Sequence, residues 1–127
     1  EFRVGMAEGS DLAAAEAVLE FKRKHGDVLL VAIVPWPLFF ANFKRKNELR
    51  YFKILAAASV IRYVAAVYID NIFLKRNDML IDGADYLVAW WHGRPSGTGY
   101  TVRQARRQKI EIINLYDKRQ LTLDFNG

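Results

Sequence analysis

The sequence predicts an α/β fold with a mainly parallel sheet, and three observations support this. Short apolar segments of strand length alternate with longer segments whose apolar residues recur at helical spacing. Residues 28–34 are apolar throughout, as expected of a strand covered on both faces. Two glycine-rich turns, at residues 5–11 and 93–101, each lie between a predicted strand and a predicted helix. Strands alternating with helices are typical of right-handed βαβ units, which form a doubly wound parallel sheet.

The first predicted elements are a strand at residues 2–4 and a helix at residues 11–25. Asp11 is predicted to cap this helix, because a short carboxylate can accept the backbone N–H groups of the first turn. Gly26 follows the helix in the position where glycine commonly ends one.

Pro35 ends the strand at residues 28–34, because proline has no N–H to donate to a sheet. The next segment, residues 46–58, is predicted as a helix with Leu49 and Phe52 on its apolar face. The remaining predicted elements are strand 60–64, helix 71–81, strand 86–91, helix 97–108, strand 110–115 and a polar tail, 116–127, with a short strand at 121–123.

Length and composition indicate one globular domain over residues 1–127, with its core in 1–115. Hydrophobic residues make up 52% and charged residues 26%, which argues against disorder. No apolar run reaches the ~18 residues that span a bilayer, so no membrane partner is expected. Cysteine is absent and histidine occurs twice, so no disulfide framework and no metal site are expected. A cytoplasmic location fits these features.

The net charge of +5 favours anionic partners. Basic residues cluster at 22–24, 44–46 and 103–109. Solvated helix faces, and helix ends that complement the helix dipole, account for most such clusters. A nucleic-acid surface is therefore the less favoured interpretation.

The first glycine-rich turn, residues 5–11, has the composition of a ligand-binding turn. Gly5 and Gly9 can adopt backbone angles that other residues avoid, and Ser10 and Asp11 can contact ligand hydroxyls. A glycine-rich turn before a helix also lets a phosphate approach the helix N-terminus closely. The alternative is an ordinary tight turn that starts a helix.

The second turn, residues 93–101, places hydroxyl groups and bare backbone at one helix start, as in a phosphate or ribose cradle. It is not a P-loop, because no Gly-Lys-Ser/Thr follows at the required distance. A plainly capped helix start is the alternative. The candidate ligand-binding residues of this turn are Ser96, Gly97, Thr98, Gly99 and Thr101.

Other side chains can complete such a site. Arg76 and Asn77, on the predicted helix 71–81, can reach a phosphate, although spacing alone favours an ordinary surface pair. Aromatic side chains that can stack on a base follow strand ends or lie in loops: Trp36, Trp90, Trp91 and Tyr100.

Three segments together resemble the YpsA-like family of the SLOG superfamily, which includes DNA-processing protein A and the lonely-guy phosphoribohydrolases. Residues 5–17 resemble the family's G-M-A-x-G-x-D-x-x-A-A-E element. Residues 73–82 resemble its R-N-x-x-M/L-V-D helix. Residues 85–90 and 97–105 resemble its strand followed by G-G-T-x-x-T-V-x-x-A. The three elements occur in the family's order.

The resemblance implies a Rossmann-like three-layer α/β sandwich that binds a nucleotide or nucleotide-derived ligand over its glycine turns. It adds Met6 and Ala7 to the candidate site. The residues carried over are Gly5, Met6, Ala7, Gly9 and Asp11 in the first element, Arg76 and Asn77 in the second, and Gly97, Thr98 and Thr101 in the third.

The chain also departs from the family pattern. Thr101 stands where the lonely-guy enzymes carry a catalytic glutamate, so the resemblance favours ligand binding over phosphoribohydrolase activity. The family usually begins with a further strand and helix, and we expect this first βα unit to be lacking. A fragment of a longer protein, a different strand order, or completion of the sheet by another chain would each account for this. Residues 36–40 are apolar, which favours association into a homo-oligomer.

Two other functional classes remain open. An enzyme that cleaves the N-glycosidic bond of a nucleotide would need a carboxylate, for which Glu8, Asp11 and Glu16 are candidates. An assembly protein, or a DNA-interacting protein that uses Arg103, Arg106 and Arg107, is the other alternative.

Overall fold

The fold is mixed α/β with parallel strands, as the sequence predicts, and is Rossmann-like in this sense. The computed structural model describes residues 1–116, which belong to two compact units, Glu1–Arg76 and the part from Asn77 onward. The expected strand at 121–123 lies outside the described residues, and the expectation of a single domain stays a prediction. The elements are β1 (Phe2–Val4), α1 (Ser10–His25), β2 (Leu30–Val34), α2 (Arg45–Ala57), β3 (Val60–Tyr63), α3 (Ile72–Ile81), β4 (Tyr86–Ala89), α4 (Gly97–Arg107) and β5 (Glu111–Asn114).

The first unit contains a three-stranded parallel sheet in the order β1-β2-β3. Val4 pairs with Ala32 on β2, and Ala32 pairs in turn with Ile61 on β3. All five residues of β2 are buried, which explains why its sequence is apolar throughout. The carboxyl ends of these strands lie at one edge of the sheet, where the first glycine-rich turn follows β1.

Helix α1 ends where the sequence predicts. Gly26 has a φ of 86°, and its N–H donates to the carbonyl of Lys22 at 2.8 Å. This left-handed conformation is easily adopted only by glycine, so one residue type sets the end of the helix.

The predicted apolar face of α2 is wrong. Leu49 is 59% exposed and Phe52 is also exposed, whereas Tyr51 and Ile54 are buried. Both buried side chains belong to the core that contains Leu12 of α1. The prediction failed because α2 has two apolar faces, one with Leu49 and Phe52 and one with Tyr51 and Ile54, and the sequence does not show which of them is buried.

In the second unit, β4 and β5 form a parallel pair in which Leu87 lies opposite Ile112. Ile81, Ala105 and Ile110 form a buried cluster that joins α3, α4 and the segment before β5. Gly83, with a φ of 70°, follows α3 as predicted. Among residues 1–116, no helix combines the length and the apolar character needed to cross a bilayer.

Candidate functional sites at two glycine-rich turns

The first turn connects β1 to α1, and Gly5 is buried within it. A Cβ at Gly5 would lie 2.9 Å from Asp11 Oδ2 and 3.0 Å from Arg76 Nη1. The first distance is shorter than real Cβ contacts and the second is at their lower limit, so an added Cβ at Gly5 would force the Asp11 or Arg76 side chain to move. The sequence suggested unusual backbone angles at Gly5, but the positive φ angles occur at Met6, with 65°, and at Gly9, with 95°.

Met6 is a fully buried residue in the left-handed region. Non-glycine residues rarely adopt this conformation, and surrounding structure must hold them in it. The Met6 side chain packs in the core with Val4 and Leu12, which supplies that constraint. Core packing of the Met6 side chain therefore fixes one part of the turn, and the side chains around Gly5 fix another.

Asp11 does not cap α1 as predicted. Gly9 occupies the N-cap position, and no side chain caps the helix there. The Asp11 carboxylate instead accepts the N–H of Ala7 at 3.1 Å, inside the turn. The Asp11 carboxylate and the Arg76 guanidinium both lie close to Gly5, so the first turn combines an acceptor for ligand hydroxyl groups with a nearby positive charge.

Arg76 is the side chain that holds the first turn in place. Its Nη1 donates to the carbonyl oxygen of Gly5 at 2.6 Å, and the residue is only 8% exposed. Burial lowers the pKa of the Arg76 guanidinium, and the charge of Asp11 opposes this shift. The guanidinium carbon also lies 5.8 Å from the ring centroid of Phe73. Arg76 thus supports the turn directly.

The carboxylates proposed for N-glycosidic cleavage have structural partners. Glu8 accepts the N–H of Lys44 at 3.0 Å and the amide of Asn47 at 2.7 Å, which lowers its pKa. Glu16 forms an ion pair with Arg50, and the hydrogen bonds from that guanidinium lower the pKa of Glu16. A carboxylate stabilised in its charged form is a poor general acid, so Glu8 and Glu16 are poorly suited to protonating a leaving group.

The second turn connects β4 to α4, and Ser96 caps the helix. The Ser96 Oγ accepts the N–H of Gly99 at 3.0 Å. A Cβ at Gly99 would lie 3.0 to 3.1 Å from atoms of the Trp91 indole, so glycine allows the ring to pack against the helix start. The Trp91 indole N–H also donates to the carbonyl of Arg94 at 2.7 Å.

Three groups meet at Gly97, the first residue of α4. The hydroxyl of Thr101 donates to the Gly97 carbonyl at 3.1 Å, and the Asn77 amide donates to the same oxygen at 3.4 Å. Both side chains are buried, whereas Gly97 and Thr98 are exposed. Gly97 and Thr98, together with the exposed N-cap residue Ser96, are therefore the predicted residues of this turn that solvent can reach at the helix start.

Asn114, at the end of β5, was missed by the sequence analysis. Its amide group pairs with the backbone of Trp91, accepting the N–H at 3.1 Å and donating to the carbonyl at 2.9 Å. This pairing fixes the chain where β4 ends and the second turn begins. No local sequence pattern could have identified it, because the two residues are brought together by strand pairing.

The other aromatic and polar candidates have varied surroundings. Ser10 is exposed at the start of α1. The hydroxyl of Tyr100 donates to Asp78 Oδ1 at 3.0 Å, and this hydrogen bond raises the pKa of Tyr100. Trp36 contacts other aromatic rings at the end of β2, and Trp90 contacts Tyr116. Within residues 1–116, no three His, Asp or Glu side chains are grouped as metal ligands.

Comparison with known proteins adds no assignment: no protein-family model matches the chain, and no curated protein matches it significantly.

Proposed function

We propose that this protein binds a nucleotide-derived ligand at its glycine-rich strand-to-helix turns, without phosphoribohydrolase activity. The observation that carries the proposal is the first turn. Gly5 lies at the carboxyl end of a parallel strand, next to the buried side chain of Arg76 and the carboxylate of Asp11. Met6, which follows it, has a left-handed backbone conformation. Constrained, strained backbone of this kind is concentrated at ligand sites, and ligands of open α/β sheets bind beyond the carboxyl strand ends.

The second turn also supports ligand binding, because it offers a helix N-terminus that suits an anionic group. Gly97 and Thr98 are exposed at the N-terminus of an 11-residue helix, where backbone N–H groups and the helix dipole favour an anion. Ser96, Thr101 and Asn77 hold this helix start through the hydrogen bonds described above. The resemblance to YpsA-like SLOG proteins is part of the proposal and rests on the sequence motifs.

A thermal-shift panel tests the proposal, because a ligand that binds only the folded state must raise the melting temperature. The panel contains ATP, AMP, NAD, ADP-ribose and a cyclic nucleotide. We expect a selective rise, and for a ligand held at the second turn Gly97→Phe abolishes the rise whereas Gly97→Ala retains it. The smaller substitution is a suitable control, since a Cβ at Gly97 would lie 3.9 Å from Asn77 Nδ2 in ordinary contact. Equal melting temperatures with and without every nucleotide would contradict the proposal.

We also propose that the protein is located in the cytoplasm and forms a homo-oligomer. Leu38 and Val67 are each 65% exposed, and apolar exposure of this kind favours self-association. Light scattering measures the mass directly. A strictly monomeric species over the working concentration range would remove this part of the proposal without affecting ligand binding.

A further inference from the structure

A cluster of four aromatic side chains lies beyond the carboxyl ends of β2 and β3. Trp36 follows β2, Tyr68 follows β3, and the other two members are Phe39 and Phe73. The ring centroid of Trp36 lies 5.4 Å from that of Phe39, 5.4 Å from that of Tyr68 and 6.0 Å from that of Phe73. We call these four residues the aromatic cluster.

The aromatic cluster is ordered yet accessible. Interplanar angles of 72° and 86° at Trp36 are those of edge-to-face contacts, which hold rings in defined orientations. None of the four side chains is buried, and Tyr68 is 58% exposed. Phe39 packs against the hydrophobic core, whereas Tyr68 and Phe73 are exposed, so the outer rings of the cluster are available to stack on a ligand.

The aromatic cluster adjoins the first glycine-rich turn through Arg76. Phe73 is in contact with Trp36, and the Arg76 guanidinium lies near the Phe73 ring while donating to the Gly5 carbonyl. The same turn presents the Asp11 carboxylate, which can accept hydrogen bonds from hydroxyl groups. Arg76 thus links the apolar aromatic surface to the turn that carries the hydroxyl acceptor.

We infer that the aromatic cluster is the base-binding part of the ligand site, so that the ligand carries a purine base. This inference rests on the proposed nucleotide-binding function and extends it. Bases stack on aromatic side chains because both present flat π faces, and a purine offers the larger surface. Asp11 then faces the ribose hydroxyls, for which its carboxylate is an acceptor.

The inference is tested by isothermal titration calorimetry with AMP and with ribose 5-phosphate, which lacks the base. We expect the wild-type protein to bind AMP at least tenfold more tightly than ribose 5-phosphate. Tyr68→Ala should weaken AMP binding about tenfold, leave ribose 5-phosphate unchanged, and be rescued by Tyr68→Phe, which keeps the ring. Tyr86→Ala is the matched control, because Tyr86 is 61% exposed on β4, outside the aromatic cluster.

Phe73→Leu provides a second variant that keeps an apolar side chain but removes an aromatic ring, and it should also weaken AMP binding selectively. Circular dichroism establishes that each variant is folded.

If AMP binds the wild type and both variants bind AMP as tightly as the wild type does, the inference is overturned and the proposed function stands. Equal wild-type affinities for AMP and ribose 5-phosphate would also overturn it. If neither compound nor any other nucleotide binds, both proposals fail. Loss of self-association in Tyr68→Ala with unchanged AMP affinity would assign the aromatic cluster to a second copy instead.

Discussion

Arg76 Nη1 donates a hydrogen bond to the carbonyl oxygen of Gly5 at 2.6 Å, across 71 residues of sequence. This contact ties the second turn of α3 to the turn between β1 and α1. Arg76 is buried, so the bond is shielded from water, and the charged donor makes it stronger than a neutral one. The candidate ligand turn therefore depends on a side chain that belongs to a distant segment.

Replacing Arg76 should destabilise the protein even without ligand. Arg76→Met removes a charged donor and leaves the Gly5 carbonyl unpaired, and we expect a loss of about 2 kcal/mol in the free energy of unfolding. Urea denaturation measures this loss. Lys75→Met is the control, because Lys75 is exposed on the same helix and its replacement should have little effect. Equal stabilities of the two variants would contradict the structural role of Arg76.

Two glycine-to-alanine substitutions should differ sharply. Gly5→Ala places a methyl group 2.9 Å from Asp11 Oδ2, and the forced rearrangement should cost about 2 kcal/mol. Gly97→Ala meets only Asn77 Nδ2 at 3.9 Å, so its stability should stay within about 0.5 kcal/mol of wild type. Thermal and urea unfolding of both variants test this difference, and the reverse order would show that Gly5 is not closely packed.

Tyr51→Phe should stabilise the protein. The Tyr51 hydroxyl is buried and has no hydrogen-bond partner among the described residues, so its removal should raise the free energy of unfolding by about 1 kcal/mol. Denaturation at neutral pH tests this. A clear loss of stability would indicate that the hydroxyl contributes favourably.

The same residue predicts an alkaline pH dependence. Burial raises the pKa of Tyr51 from 10.0 to about 12, so the unfolded state loses its proton first as the pH rises. Ionisation of Tyr51 therefore leaves the free energy of unfolding unchanged below pH 10.0. That free energy then falls as the pH rises from 10.0 towards about 12. Melting temperatures of wild type and Tyr51→Phe should therefore diverge above pH 10.0, and parallel curves would argue against this pKa shift.

The ion pair between Glu16 and Arg50 should contribute to stability at neutral pH and not in acid. Hydrogen bonds from Arg50 hold the pKa of Glu16 below its ordinary value of 4.5. A lowered folded-state pKa gives a contribution that is present above 4.5 and is lost as the pH falls through the lowered value. Glu16→Gln should thus flatten the fall in melting temperature on acidification. Glu111→Gln, at an exposed residue of β5, is the control and should leave that fall unchanged.

Much of the fold could be predicted because local patterns carry it. The apolar run before Pro35 predicted β2, and Gly26 predicted the end of α1. The face of α2 could not be predicted, because Leu49 is as apolar as the buried Ile54. Which face is buried depends on the helix packed against it.

The candidate site was predictable only in part. Glycine and hydroxyl patterns identified both turns, but not what holds them. Strand pairing brings Asn114 to the backbone of Trp91. Glu8 accepts a hydrogen bond from the backbone N–H of Lys44 at the start of α2. Such partners are distant in sequence, and no spacing rule brings them together.

The most direct test of the central claim is a two-dimensional ¹H–¹⁵N NMR titration of the isotope-labelled protein with AMP. The account predicts saturable shifts of the amide signals of residues 5–11 or of residues 97–98, with smaller changes elsewhere. Gly97→Phe should remove the shifts at 97–98. Unchanged spectra at saturating AMP, or shifts confined to residues outside both turns, such as the surface between α1 and α2 around Glu20 and Lys53, would contradict ligand binding at the glycine-rich turns.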